Sequence, residues 1–178
     1  MVSGLVIVDI QNDYFPGGRH ELVGAERAAA NAARVLERFR EKGDPVFHVQ
    51  HVWEGDDPAF FEPGTPGVEI HEAVRPAEDE PVVQKAHPNS FRETDLEHRL
   101  RDAGVTDVVV AGMMTSMCVD ATVRAAADLG FRCTVVHDAC ATLDLEFDGR
   151  TVPAASVHAA FLAALGEGYA SVTSADDV

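Results

Sequence analysis

The sequence is short of lysine, of cysteine and of long apolar runs. Of its 178 residues 14 are basic, and only Lys42 and Lys85 among them are lysine. Acidic residues number 30, giving a net charge of -16. Nucleic-acid binders need clustered Lys and Arg to replace phosphate counterions, so neither nucleic acid nor an anionic membrane is an expected partner. No run approaches the ~20 apolar residues of a membrane span. The start, Met1-Val2-Ser3-Gly4, has no basic segment, and the apolar run behind it is broken by Asp9, so no signal peptide is expected. Three cysteines, an odd number, argue against a disulfide framework and for a reducing, cytoplasmic compartment. The first apolar run is not followed by Gly-x-Gly-x-x-Gly, which removes a dinucleotide-binding dehydrogenase from consideration.

What is present reads as one domain over residues 1–178. The hydrophobic fraction of 46% and charged fraction of 25% are ordinary globular values, and a chain of this length can bury about 70% of its unfolded surface. Short β-branched runs alternate with helical patterns. Strands are predicted at 4–9, 46–52, 81–84, 106–111, 131–137 and 169–173. Helices are predicted at 25–42, closed by Gly43; from a Ser90/Glu93 capping box to Gly104; at 118–129, closed by Gly130; and at 152–165. Continuous apolar strands separated by helices indicate a parallel sheet covered on both faces. The expected fold class is therefore α/β, a Rossmann-like three-layer α/β/α domain with a mostly parallel sheet of about six strands. Residues 54–80 break the pattern, with nine acidic residues, four prolines and one basic residue, Arg75. They read as a long loop, a kind of segment that is often functional.

Ligands of open parallel sheets bind beyond the carboxyl ends of the strands. Three chemistry-bearing residues fall there: Asp9 after the first strand, Lys85 after the third, and Cys118 after the fourth, across the turn Gly112-Met113-Met114-Thr115-Ser116-Met117. Alone, each has an ordinary explanation: a turn-capping aspartate, a surface lysine, a buried inert thiol. Together they form a nucleophile set, because an ammonium between a carboxylate and a thiol stabilises both anions. Placed at the start of a helix, the Cys118 thiol is expected to have a lowered pKa. Cys133 and Cys140 fit the inert reading.

Four segments carry a resemblance: Leu5–Phe15 (LVIVDIQNDYF); Gln84-Lys85 with Ser90-Phe91; Ala111–Val119 (AGMMTSMCV); and His137–Thr142 (HDACAT). In that order and spacing the chain resembles the isochorismatase-like cysteine hydrolase superfamily, which includes nicotinamidases, N-carbamoylsarcosine amidohydrolases and ureidoacrylate amidohydrolases. The resemblance implies that Asp9, Lys85 and Cys118 are a catalytic triad and that Cys118 attacks a carbonyl to form a thioester. It implies Asp9 as general base and then acid, and Lys85 as the stabilising cation. It also implies a cis peptide at Met113–Met114 and an oxyanion hole from the amides of Met114 and Cys118. Assembly as a homodimer or larger homo-oligomer is expected on the same ground.

Nicotinamidases of this superfamily bind a metal with Asp-x-His after the second strand. Here Gln50 and Val52 occupy those positions, a poor donor pair. His48, His51 and His71 are expected to be structural, and no metal and no cofactor are expected. Isochorismatases proper cleave a vinyl ether and lack the cysteine, so Cys118 favours C–N hydrolysis of an amide, lactam or carbamoyl group. A vinyl ether hydrolase using Asp9 as acid and a catalytically idle binding domain remain the alternatives. The negative net charge favours a neutral or cationic small-molecule substrate. Streptothricin hydrolase-like enzymes are one candidate within the superfamily. Phe15, Trp53, Phe60 and Leu143 are the expected substrate-binding walls, with Phe61 and Met114 beside them.

Overall fold

The computed structural model describes residues 2–53 and 55–178. Eight strands and four α-helices follow in the order β1 (Val2–Val8), α1 (Ala25–Lys42), β2 (Val46–His51), β3 (Val82–Lys85), α2 (Leu96–Asp102), β4 (Val105–Met113), α3 (Asp120–Asp128), β5 (Arg132–Ala141), β6 (Leu145–Phe147), β7 (Arg150–Val152), α4 (Ala154–Gly166) and β8 (Ser171–Thr173). Six strands form one parallel sheet, ordered β3-β2-β1-β4-β5-β8.

The period-2 side-chain alternation of β1 assigns the layers. Leu5 and Ile7 pack with Ala28, Ala32, Val35, Leu36 and Phe39 of α1 on one face. Val6 and Val8 pack with Leu96 and Leu100 of α2, Val123 and Ala126 of α3, and Leu162 and Leu165 of α4 on the other. The sheet is thus the middle of three layers, as the apolar runs predict. α1 matches its expected bounds, because a nearly uninterrupted set of helix formers ends at Gly43, which takes φ +70°.

Some local expectations are corrected. The Ser90/Glu93 pair is no capping box. Ser90 Oγ bonds Thr122 Oγ1 at 2.8 Å, Glu93 takes φ +57° and pairs with His87, and α2 starts only at Leu96. The tertiary contact to α3 outbids the local cap. Cys118 does not open an α-helix. It lies within a π-helical turn, Thr115–Val119, ahead of α3. Residues 145–151, unassigned from sequence, form the antiparallel β6–β7 hairpin together with Val152, so the helix expected from 152 starts only at Ala154, after Pro153.

The acidic loop is pinned rather than free, although Glu54 lies outside the described residues. Asn12 N–H donates to Glu69 O at 3.0 Å, Asn12 Nδ2 to Pro66 O at 2.8 Å and His71 N–H to Ile10 O at 2.8 Å. Phe61 N–H donates to Asp13 Oδ2 at 2.6 Å. A Cβ at Gly67 would collide with the Asp13 carboxylate, which explains glycine there. The polar Gln11-Asn12-Asp13 run serves to hold this loop over the carboxyl ends of the strands.

Candidate active site

Parallel pairing brings the three chemistry-bearing residues to one edge. β1 is the strand from which the order runs one way to β2 and β3 and the other way to β4, so the gap beyond β1 and β4 is the crevice of a doubly wound sheet. Asp9 follows β1 at φ +50°. Aspartate tolerates this left-handed conformation better than most residues, and the sharp turn takes its side chain out of the strand pleat. β4 reaches the same place because Gly112, at φ +148°, pairs with Val8. Any Cβ at Gly112 would meet the Val8 carbonyl. The next peptide, Met113–Met114, is cis, at the position the resemblance implies. His51 and Lys85 are register partners at the ends of β2 and β3.

Lys85 Nζ lies 2.7 Å from Asp9 Oδ2, with both side chains fully buried. It also donates to His87 O at 2.9 Å and Pro88 O at 3.2 Å. Cys118 is 3% exposed. Its Sγ lies 3.8 Å from His51 Nδ1, which stands 3.8 Å from Asp9 Oδ2 and 3.4 Å from Lys85 Nζ. Asp9, Lys85 and Cys118 therefore do come together, and His51, expected to be merely structural, sits among them. Its neighbours along β2 misled the reading: in V-F-H-V-Q-H-V nothing distinguishes His48 from His51. His48 instead bonds Glu80 at 2.8 Å, next to Arg40, and the two partners hold the Glu80 carboxyl down to about 2 despite its burial. His71 stacks on Phe15, with ring centroids 3.7 Å apart.

The electrostatics differ from expectation at the thiol. Burial raises the Cys118 pKa, the Asp9 anion raises it further, and Lys85 opposes both. The resting group is a thiol rather than a thiolate, so its proton must leave as sulfur attacks. For Asp9 burial works upward, but the Lys85 ammonium and His51 outweigh it and hold the carboxyl below its ordinary value. Burial likewise pulls the Lys85 pKa down, yet Asp9 and Cys118 bring it above the usual lysine value.

Of the expected pocket walls, Phe60 packs edge-on against Trp53, with centroids 5.9 Å apart, and stacks on His20 at 4.3 Å. Leu143 is partly buried against the same core cluster as Met114. Phe15 turns to His71 instead of toward this group. Its neighbour Tyr14 is closer to the chemistry: buried, 5.9 Å from the Phe60 ring, its phenol pushed up chiefly by burial, with the Asp9 carboxylate adding to it. Tyr14 was not singled out from sequence, where the adjacent Phe15 carries the same aromatic signal.

Among the described residues one group has three metal-type donors close together, Asp9, His51 and Cys118, all within 4.8 Å. The donor set does not fit a cation, because the Lys85 ammonium already stands against the carboxylate and the imidazole nitrogen. Gln50, at the position of a metal-binding aspartate, has its amide committed at both ends, to Val68 O and to Gln84 Nε2. Metal analysis of protein purified without an affinity tag is expected to find far less than one zinc or iron per chain; a stoichiometric metal would contradict this reading.

The comparisons with known proteins agree with this geometry. The isochorismatase domain model matches residues 3–177. The isochorismatase family protein YddQ of Bacillus subtilis is 55% identical over 97% of this chain and 96% of its own length. A streptothricin hydrolase of Streptomyces noursei is 38% identical over 93% of this chain, which spans 66% of that protein. Among solved structures, an isochorismatase-type hydrolase from Oleispira antarctica superposes with a TM-score of 0.96 at 52% identity, over 99% of this chain and 95% of that one. N-carbamoylsarcosine amidase from Thermoplasma acidophilum superposes at 0.85 with 28% identity, over 100% of this chain and 99% of that one. A match along nearly the whole length, in sequence and in fold, makes this chain a member of the isochorismatase-like hydrolases.

Proposed function

We propose that the protein hydrolyses a C–N bond of a small amide, lactam or carbamoyl compound through a thioester on Cys118. The observation that carries this is the buried Cys118 thiol beside a carboxylate that Lys85 keeps ionised at 2.7 Å. The Cys118 sulfur adds to the substrate carbonyl as its proton passes to Asp9. The amides of Met114 and Cys118 hold the resulting oxyanion. Collapse expels the amine, which takes up a proton, and water then cleaves the thioester and restores the thiol. Two of the relatives named above, a streptothricin hydrolase and an N-carbamoylsarcosine amidase, support hydrolysis of this kind. No metal or cofactor enters the scheme.

Trp53, Phe60 and Leu143, with Tyr14 packed on Phe60, are the walls we assign to the substrate; Phe15 stacks on His71 instead. With a net charge of -16, long-range steering favours a neutral or cationic substrate over a dianion. A panel of small neutral, cationic and dianionic amides, lactams and carbamoyl compounds, assayed for ammonia or amine release, tests the proposal. Turnover of neutral or cationic members is expected. Turnover confined to dianions would defeat the steering argument, and no release from any C–N bond would defeat the proposal.

A further inference from the structure

Strand β5 outruns its outer partner. β8 pairs with it only from Thr134 to Val136, so from His137 onward that edge of β5 has no strand beside it. The first turns of α1 and α4 frame the gap. Between them lies a pocket of about 490 Å³, whose lining includes Gly24, Arg27, His137, Asp138, Ala155 and His158. The reaction proposed above uses none of these residues.

The pocket gathers basic groups in a chain of net charge -16. Most arginines of the chain stand against a carboxylate. The Arg27 guanidinium and the His137 ring have no hydrogen-bond or ion-pair partner among the described residues. His158 Nδ1 lies 2.9 Å from Thr115 Oγ1. Burial, then His137 and Arg27, pull the His158 pKa down, and the His137 carbonyl opposes them. The three basic groups therefore disfavour one another's charge. The acids nearby are committed elsewhere. Asp138 Oδ1 accepts from Ala175 N–H at 2.7 Å, and Asp144 Oδ1 from Ala154 N–H at 2.7 Å. Glu26, in the first turn of α1, acts on His71. Gly24 starts the 18-residue α1 without a side-chain cap, so the positive end of that helix adds to the same field.

We propose that this pocket binds a small oxyanion, the phosphate or carboxylate head of a metabolite-sized ligand. Arg27 supplies a permanent charge and a planar fork of donors. Each imidazole becomes a cation with two donors once protonated. His158 can take that proton where it stands, because a hydroxyl such as Thr115 Oγ1 accepts as well as donates. A bound anion offsets the repulsion among the three groups, so binding and ring protonation support each other. Affinity therefore falls as pH rises through the ring pKa values. The volume leaves room for an organic group behind the charged head. The site does not depend on how Cys118 reacts.

The probe is sulfate, a dianion across the range in which histidine titrates, from about pH 6 to about pH 8. It is added to the full chain against chloride at equal ionic strength. The imidazole NMR signals of His137 and His158, identified with His137→Asn and His158→Asn, report occupancy. Saturable shifts of both rings are expected, and sulfate should move the His158 titration upward. The dissociation constant should rise about tenfold or more between the two ends of that range, the scale of one unit of linked pKa. Arg27→Gln should weaken binding by about tenfold, the scale of one charge-assisted hydrogen bond. Arg27 is exposed, so this variant should unfold at the wild-type urea midpoint. A parallel titration with succinate separates the two head groups: saturation by either probe supports the site, and the tighter one names the head. Shifts that grow without saturating for both probes, that chloride reproduces, or that persist unchanged in Arg27→Gln would overturn the proposal.

Discussion

Lys85→Met is expected to destabilise the protein by about 3–5 kcal/mol at pH 7, because it leaves the Asp9 carboxylate buried with no counter-charge. The pH dependence carries the diagnosis. In the native protein the Asp9 pKa is depressed, so its contribution to stability is present above the unfolded carboxylate value of ~3.9 and is lost as pH falls through the folded value. The Lys85 pKa is raised, so its contribution is present below the unfolded lysine value of ~10.4 and is lost as pH rises through the folded one. Without the ammonium, burial dominates at Asp9 and its pKa goes up. The folded variant then retains a proton that the unfolded chain releases, and its stability declines as pH rises above ~3.9. The deficit should therefore be largest near neutrality and shrink toward pH ~4. Adding Asp9→Asn to Lys85→Met should recover much of the loss at pH 7, since the uncompensated charge is gone. Urea unfolding of the two single variants and the double variant across that range measures all of this. A deficit that does not vary with pH, with no recovery in the double variant, would mean that packing rather than charge explains Lys85.

Cys118→Ala should lower turnover of any amide substrate by on the order of 10⁴–10⁶-fold, the scale seen when a nucleophile that acts as a unit with its base is removed. The folded state should be little affected, with a cost of about 1 kcal/mol for the small change in a buried side chain. Stability and turnover must therefore be measured on the same sample. Substantial turnover in a folded Cys118→Ala protein would favour an Asp9-driven vinyl ether hydrolysis, in which the sulfur is a bystander.

Much of this architecture is legible in the sequence, for identifiable reasons. The apolar runs of β1 and β4 can only be buried strands, and α1 is written by its composition and by Gly43. The convergence of Asp9, Lys85 and Cys118 follows from parallel topology, because all three lie at carboxyl ends of strands. His51 was hidden because its place in the site depends on register: only the pairing of β2 with β3 puts it opposite Lys85. Tyr14 was hidden because the turn after Asp9 decides how two adjacent aromatics part, Tyr14 onto Phe60 and Phe61 and Phe15 onto His71. The raised thiol pKa was missed because the cysteine lies inside a buried π-helical turn rather than at an exposed helix start. Ser90 and Glu93 show the converse error, where a local signal was overridden by the hydroxyl of Thr122.

The central claim is that one sulfur, that of Cys118, carries the acyl group. Rapid quenching of the native protein during hydrolysis of 4-nitrophenyl acetate, followed by peptide mapping of the three cysteines, tests it directly. Burial raises all three thiols, and what sets Cys118 apart is its place beside the buried Asp9–Lys85 pair. The predicted result is acetyl on Cys118 alone, lost in Asp9→Asn. Acetyl on Cys133 or Cys140, or hydrolysis with no acylated sulfur, would contradict the account.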